Sequence, residues 1–406
     1  SGNKTDILCK QVRGDARRLT KRSASRDWHM IVVAIATYCF WTSLYFYVPI
    51  LPLHARELGA GLGMVGLVIA SYAIGQILLR IPIGIGSDIF GRKPFAVGSL
   101  LVSALAAIGL GIAPNPWSLF AARTLTGISA AGWVAISVLF SSYYQSGNTV
   151  KAMAMILTVN SLSLVTATFI GGITADYFGN VSTFYIAAII AFIGALLLLA
   201  IPEPRISDTV QYSIHSLLGV IRSSLLLRVS VIAITFQFVT FGVSFGFLPV
   251  HVESLGASKS VVGYITTIGL IATVVGTATS AWMVRRWGST STVLIAVIAT
   301  LCSLILMTVT TSLAALGFLQ ILNGYARGLT NTVLISLALD SAPAALRATA
   351  MGSFQALYAI GMLAGPALSG PIADTFGIEM VFWISAVVTA LGGLLVLIKP
   401  LPSQRF

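Results

Sequence analysis

Arg327 stands near the middle of a long apolar stretch, with Asn323 and Asn331 one helical turn to either side of it. At α-helical spacing these three polar side chains share one face. A guanidinium in hydrocarbon costs at least a few kcal/mol, so such a residue usually faces a cavity and has a role there. That role is contact with a bound molecule or coupling ion, or a structural pair within a helix bundle. Tyr72, Gln76 and Arg80 repeat the arrangement, although Arg80 lies close enough to the end of its stretch to snorkel. Arg123 either joins them or anchors its own stretch to neighbouring backbone carbonyls. Tyr38, Trp41, Thr42 and Tyr45 recur at helical spacing, as do Gln237, Phe241 and Ser244. Aromatic bodies with polar tips suit an amphipathic ligand.

All acidic side chains map to tails, loops or the ends of apolar stretches, so the charges inside those stretches are basic. A second titratable group is His54 and His251, at equivalent places in the two halves of the chain, with Glu57 and Glu253 close by in sequence. Histidine titrates near neutrality, so this group is the candidate for proton coupling. Cys9, Cys39 and Cys302 are scattered, which argues against a disulfide framework and a metal centre. Neither a nucleophile, base and orienting group nor a phosphate-cradling loop is recognisable, so the chain reads as a non-enzyme without a cofactor. Any work it does draws on a proton or other ion gradient.

The elements that position these residues are read from composition. Hydrophobic residues make up 57% and charged residues 9% of the 406, and mean hydropathy is +0.94. A soluble domain carries about a quarter charged residues, so this is an integral membrane protein. Each crossing takes about 20 mainly apolar residues. Twelve spans are predicted: 30–51, 62–85, 93–113, 117–141, 152–174, 180–201, 228–250, 260–284, 290–311, 313–339, 348–373 and 378–399. Runs this long and apolar are helices rather than alternating barrel strands.

The chain also repeats itself. Pro52, His54, Leu58, Gly59, Ala60, Val65, Gly66 and Gly91 reappear 197 residues later as Pro249, His251, Leu255, Gly256, Ala257, Val262, Gly263 and Gly288. Gly172-Ile-Thr-Ala-Asp176-Tyr-Phe-Gly179 returns as Gly370-Pro-Ile-Ala-Asp374-Thr-Phe-Gly377. The organisation expected is a basic tail 1–29, a six-helix bundle 30–201, a linker 202–227, a second six-helix bundle 228–399 and a tail 400–406. Two such units, each too apolar for water, suggest a transporter.

Charge orients the chain. Lys4, Lys10, Arg13, Arg17, Arg18, Lys21, Arg22 and Arg26 precede the first span, and Arg92, Lys93, Lys151, Arg205, Arg222, Arg228, Arg285, Arg286, Arg347, Lys399 and Arg405 share its side, against Arg56 and Lys259 opposite. The positive-inside rule places both termini in the cytoplasm of a multi-pass protein of the cell (inner or plasma) membrane. The first helix is expected to be retained rather than cleaved. The net charge of +12 therefore needs no nucleic acid; membrane lipids are expected partners of the protein, and the basic tail acts as a topogenic signal or touches anionic lipid.

Between the second and third spans the chain reads Gly84-Ile-Gly-Ser-Asp88-Ile-Phe-Gly91-Arg92-Lys93. This resembles the signature loop of the major facilitator superfamily, with Ile89 where a basic residue is usual. In such a loop the glycines permit a tight exit, while Asp88, Arg92 and Lys93 bridge to a neighbouring helix end and latch the cytoplasmic side. Arg123-Thr-Leu-Thr-Gly127 is similar to the superfamily's Arg-x-x-x-Gly pattern in span 4. The antiporter motif Gly-Pro-x-x-Gly-Gly is represented in span 5 by Ala167-Thr168-Phe-Ile-Gly171-Gly172, which lacks the Gly-Pro pair, whereas span 11 keeps Gly361, Gly365, Pro366 and Gly370.

The resemblance implies an all-α fold of two pseudo-symmetric bundles, with small-molecule cargo bound between them near the bilayer midplane. Asn160, Gln355 and Tyr358 would complete that cavity. The expectation is a monomeric secondary transporter of the drug and metabolite branch, moving an amphipathic, anionic or zwitterionic, organic molecule by alternating access, with proton-coupled efflux favoured. Proton-coupled uptake of an organic anion, lipid or lysolipid flipping, and a non-transporting receptor or scaffold are the alternatives.

Overall fold

The computed structural model of the chain describes residues 27–144, 149–203, 222–343 and 346–402. Most of the basic tail, residues 204–221 of the linker and the last four residues lie outside the described residues, as do Arg205 and Arg405. Among the described residues there are helices and turns and no strand. That is the form a backbone takes when each polar group must be satisfied within its own segment.

Span 1 is Asp27–Tyr45, continued through turns into Leu51–Glu57. Spans 2 and 3 are Leu62–Phe90 and Arg92–Gly111. Span 4 is split into Pro116–Ala131 and Trp133–Ser142, and spans 5 and 6 are Thr149–Phe178 and Asn180–Leu199. Span 7 runs Ser224–Val239, a π-helical segment Thr240–Phe247, then Leu248–Ser254. Spans 8 and 9 form one stretch, Lys259–Val309, kinked at Gly288. Spans 10, 11 and 12 are Leu313–Asp340, Arg347–Phe376 and Ile378–Ile398.

Among the described residues 10 helices qualify by length and hydropathy to cross a membrane. The difference from twelve has two causes. Spans 8 and 9 merge because the Gly288 turn inserts no loop, and span 10 carries Gln320, Asn323, Arg327 and Asn331, which dilute its apolar character.

The repeated glycines are where the chain turns. Positive φ values fall at Gly59 and Gly256, Gly91 and Gly288, and Gly179 and Gly377, which are three repeat pairs. Side chains other than glycine rarely adopt this region, which accounts for glycine at the corners of both halves.

Close packing joins the halves at the end opposite the basic loops, hereafter the far end. Span 2 meets span 11 where Gly66 lies against the Pro366 carbonyl and Gly370, and span 5 meets span 8 where Gly172 lies against Gly263. The two contacts are copies related by the repeat. A carboxylate reinforces each one. Asp374 at the end of span 11 accepts hydrogen bonds from the Leu62 and Gly63 backbone N–H groups at 2.8 and 2.6 Å, at the start of span 2. Its counterpart Asp176 accepts one from Ser260 Oγ at 2.6 Å, at the start of span 8. An anion at a helix N-terminus is held by unpaired N–H groups and the positive end of the helix dipole. Lys259 Nζ to Glu57 at 3.0 Å and Thr168 Oγ1 to Thr267 Oγ1 at 2.8 Å add further links between the halves.

Candidate functional site

Spans 1, 2, 4 and 7 converge on a small enclosed cavity of ≈ 10 Å³, lined by Tyr45, Ile69, Tyr72, Arg123, Phe241 and Phe245 among others. Four of the expected site residues, Tyr45, Tyr72, Arg123 and Phe241, therefore meet in one place. Tyr72 stacks on Phe241 across the halves (6.0 Å, 18°), and Tyr45 meets Phe245 edge-on (5.9 Å, 78°). Phe241 and Phe245 contact each other at 5.6 Å. The centre of the molecule is thus an aromatic bridge between bundles. Each ring pair adds about 0.5–1.5 kcal/mol beyond burial of its area.

Two guanidinium groups flank the bridge. Arg123 is 4% exposed, lies 4.6 Å over the Tyr72 ring and 5.7 Å over the Tyr47 ring, and leaves Nε and Nη1 without hydrogen-bond partners. Arg327 is half-buried beside Phe245 at 5.5 Å. Its Nε and Nη2 donate to Thr273 Oγ1 at 3.0 and 2.7 Å, Nη2 also donates to the Gly269 carbonyl at 3.4 Å, and Nη1 has no partner. Burying a cation with unmet donors is costly. No acidic side chain lies in mid-span to meet them.

Not every expected residue joins this centre. Asn323 is buried with Nδ2 unsatisfied, whereas Asn331 is exposed, so the span 10 stripe opens progressively towards the basic end. Gln76 is buried and accepts a hydrogen bond from Arg80 Nη1 at 3.0 Å. Arg80 therefore folds back along its own helix towards Gln76. Trp41 packs between Tyr45 and Trp133 at 5.9 and 5.3 Å. Tyr38 shares a hydrogen bond with Thr166 at 2.6 Å, and Tyr358 rests edge-on against Phe354. Asn160, Gln237 and Gln355 are half-buried.

Sequence reasoning missed Phe245, Trp133 and Thr273. Aromatic residues in an apolar run carry no distinguishing mark. Ser244, placed on the span 7 face by regular α spacing, lies fully buried in the wider π winding with its hydroxyl unsatisfied.

The signature loop acts within its own half. Lys93 Nζ donates to the Leu199 and Ile201 carbonyls at the end of span 6, the Lys93 backbone N–H donates to Glu203 at 3.1 Å, and Asp88 pairs with Arg92 at 3.9 Å. A lysine at a helix C-terminus meets unpaired carbonyls and the negative end of the dipole. Gly84 gives the loop-proximal end of span 2 room against Val134, and Gly91 turns at φ +102° beside the Glu203 carboxylate.

The histidines are not in water. His54 is 5% exposed against Phe184 at 5.0 Å, and His251 is 7% exposed against Phe382 at 5.4 Å, another repeat pair. Burial pushes the His54 pKa below its ordinary value, partly opposed by Glu57, whose Oε2 lies 3.5 Å from Nδ1. For Glu57 burial acts upwards, but Lys259, Asn180 and His54 outweigh it and hold the carboxyl below the usual range. Glu253, two residues beyond His251, is half-buried. Among the described residues no group of three or more His, Cys, Asp or Glu side chains is placed to hold a metal ion.

The family model described as Major Facilitator Superfamily matches residues 33–253 and 230–405. The inner membrane transport protein YajR of Escherichia coli (strain K12) is 26% identical over 370 residues, covering 86% of this chain and 78% of that protein. The multi-drug resistance efflux pump PmrA of Streptococcus pneumoniae is 24% identical over 381 residues, covering 88% of this chain and 92% of the pump. A crystal structure of a mutant of the nucleoside transporter NupG superposes with a TM-score of 0.80 at 14% identity, covering 92% of this chain and 99% of that one.

Proposed function

Because the chain belongs to the Major Facilitator Superfamily, we propose that it is a secondary transporter of amphipathic organic anions, working by alternating access around the central aromatic site. The observation that carries this reading is the pair of guanidinium groups, Arg123 and Arg327, that flank the bridge with unmet donors and no mid-span acid. A lipophilic cation would find two like charges there; a carboxylate or phosphate finds charge-assisted donors and an apolar wall for its body.

Alternating access supplies the cycle. With the far end held by the Gly66–Gly370 and Gly172–Gly263 contacts, cargo reaches Arg327 from the basic end, which the positive-inside rule assigns to the cytoplasm. Transfer requires those contacts and the Asp176 and Asp374 hydrogen bonds to part while the basic end closes. Efflux is the proposed direction, supported by the name of PmrA as an efflux pump. The driving force is proposed to be a proton gradient, with His54 as the titrating member of the far-end cluster because Glu57 stays ionised at neutral pH. The protein is proposed to act as a monomer in the cell membrane, in contact with its lipids.

Thermal stabilisation of purified protein tests the reading, since a ligand that binds only the folded state raises apparent stability. Organic anions are expected to stabilise the wild type and to lose that effect in Arg327→Ala. Stabilisation by lipophilic cations in both proteins would overturn the assignment, and stabilisation confined to lysolipids would favour lipid flipping.

A further inference from the structure

The two arginines do not occupy equivalent positions. The repeat places Gln320, not Arg327, where Arg123 stands in the first half. Arg327 lies seven residues farther along its helix towards the basic end, about 10 Å at 1.5 Å per residue. The two also differ in access, Arg123 being sealed in its cavity while Arg327 is half-buried with two nitrogens already committed to Thr273.

A continuous aromatic ladder lies between them. Arg327 rests on Phe245, Phe245 on Phe241, Phe241 on Tyr72, and Tyr72 on Arg123, with separations of 5.5, 5.6, 6.0 and 4.6 Å. Both phenylalanines belong to the π-helical segment Thr240–Phe247. Such winding is poorly stabilised and occurs mainly at functional sites, so the rungs sit on the part of span 7 that rewinds at least cost. The cavity around Arg123 has room for about one water at present, and an anion enters only when the rungs part.

Building on the organic-anion reading above, we infer that Arg123 is a second anion station beyond an aromatic plug made by Phe241 and Phe245. It receives the acidic head of the cargo from the Arg327 station when span 7 rewinds. The ligand it takes is a compact oxyanion, a carboxylate or phosphate monoester, whose apolar body stays among the rings. Arg123 lines the cavity, and its buried, unmet Nε and Nη1 donors are the atoms that would hold the anion. Tyr72 and Tyr47 stabilise the guanidinium in the empty state without neutralising it.

Exchange of radiolabelled benzoate and phenyl phosphate, measured from each face of oriented proteoliposomes, tests this. Loss of a charged hydrogen-bond partner corresponds to about tenfold or more in affinity. Arg123→Ala is expected to raise half-saturation about tenfold or more from the far-end face and to leave the basic-end face within about twofold, with Arg327→Ala showing the reverse. Arg123→Lys, which keeps the charge without the planar fork, is expected to recover part of the loss and stands in if the alanine variant fails to fold. Folded Arg123 variants that leave both faces unchanged, or shift both equally, would overturn the second station. If neither arginine variant alters exchange, or the wild type exchanges neither probe, the organic-anion reading itself falls and the station with it.

Discussion

His54 shows how a single residue's environment decides its work. Buried against Phe184, it resists protonation in the folded protein, while an unfolded chain would take up the proton near pH 6.5. The unfolded state therefore binds more protons over a window below pH 6.5, so stability falls as pH drops through it. His54→Gln is expected to make the fall of melting temperature between pH 6.5 and 5.5 shallower but not to abolish it, because burial also pushes the His251 pKa down, as a thermal scan at fixed ionic strength would show. The Glu57 carboxyl has the opposite charge logic. Its lowered pKa keeps the contact with Lys259 intact until pH falls below the ordinary carboxylate range. Because Glu57 also raises the His54 pKa, Glu57→Gln is expected to move the pH dependence of transport to lower pH without abolishing it, and loss of that dependence altogether would make Glu57 a proton carrier. Arg327 was legible from sequence because an arginine in an apolar run needs a reason. The plug residue Phe245 was not, because only the local change from α to π winding distinguishes it from packing.

At the scale of elements the repeat was legible to the residue. The positive-φ pairs and the far-end glycines are the residues that recur at the repeat spacing, since duplicated turns and duplicated close contacts demand the same side-chain-free positions. The breaks inside elements were harder to read. Gly132 splits span 4, and no separate loop divides spans 8 and 9. A pair of alanine substitutions separates packing from helix propensity. At Gly66 a Cβ would lie 2.2 Å from the Pro366 carbonyl oxygen, a backbone atom that cannot move aside. Alanine's better propensity adds about 1 kcal/mol, but overpacking costs about 1–3 kcal/mol, so Gly66→Ala is expected to lower the melting temperature. At Gly98, in the interior of span 3, nothing lies within 4 Å and Gly98→Ala is expected to raise it. Equal shifts at the two sites would contradict close packing between spans 2 and 11.

For the whole molecule, Asp176 and Asp374 form a two-fold far-end latch that the sequence displayed as a repeat without showing its partners. Each carboxylate sits at the start of a helix in the opposite half. An exposed charge at a helix N-terminus contributes about 0.3–1 kcal/mol, so the double variant Asp176→Asn/Asp374→Asn is expected to shift the population towards a far-end-open form by a few-fold, about threefold or more. Thr267→Cys, at the buried contact with Thr168, reports this through its rate of labelling by a membrane-impermeant maleimide, with Cys9, Cys39 and Cys302 replaced by serine. Unchanged labelling would mean that the glycine contacts alone hold the far end. The central claim concerns the cargo's charge, and counterflow in proteoliposomes tests it most directly. Wild-type protein is predicted to exchange labelled benzoate but not labelled benzylamine, and Arg327→Ala to exchange benzoate more slowly at sub-saturating concentration on the basic-end face. Benzylamine exchange as fast as that of benzoate, or benzoate exchange undiminished in Arg327→Ala, would contradict the account.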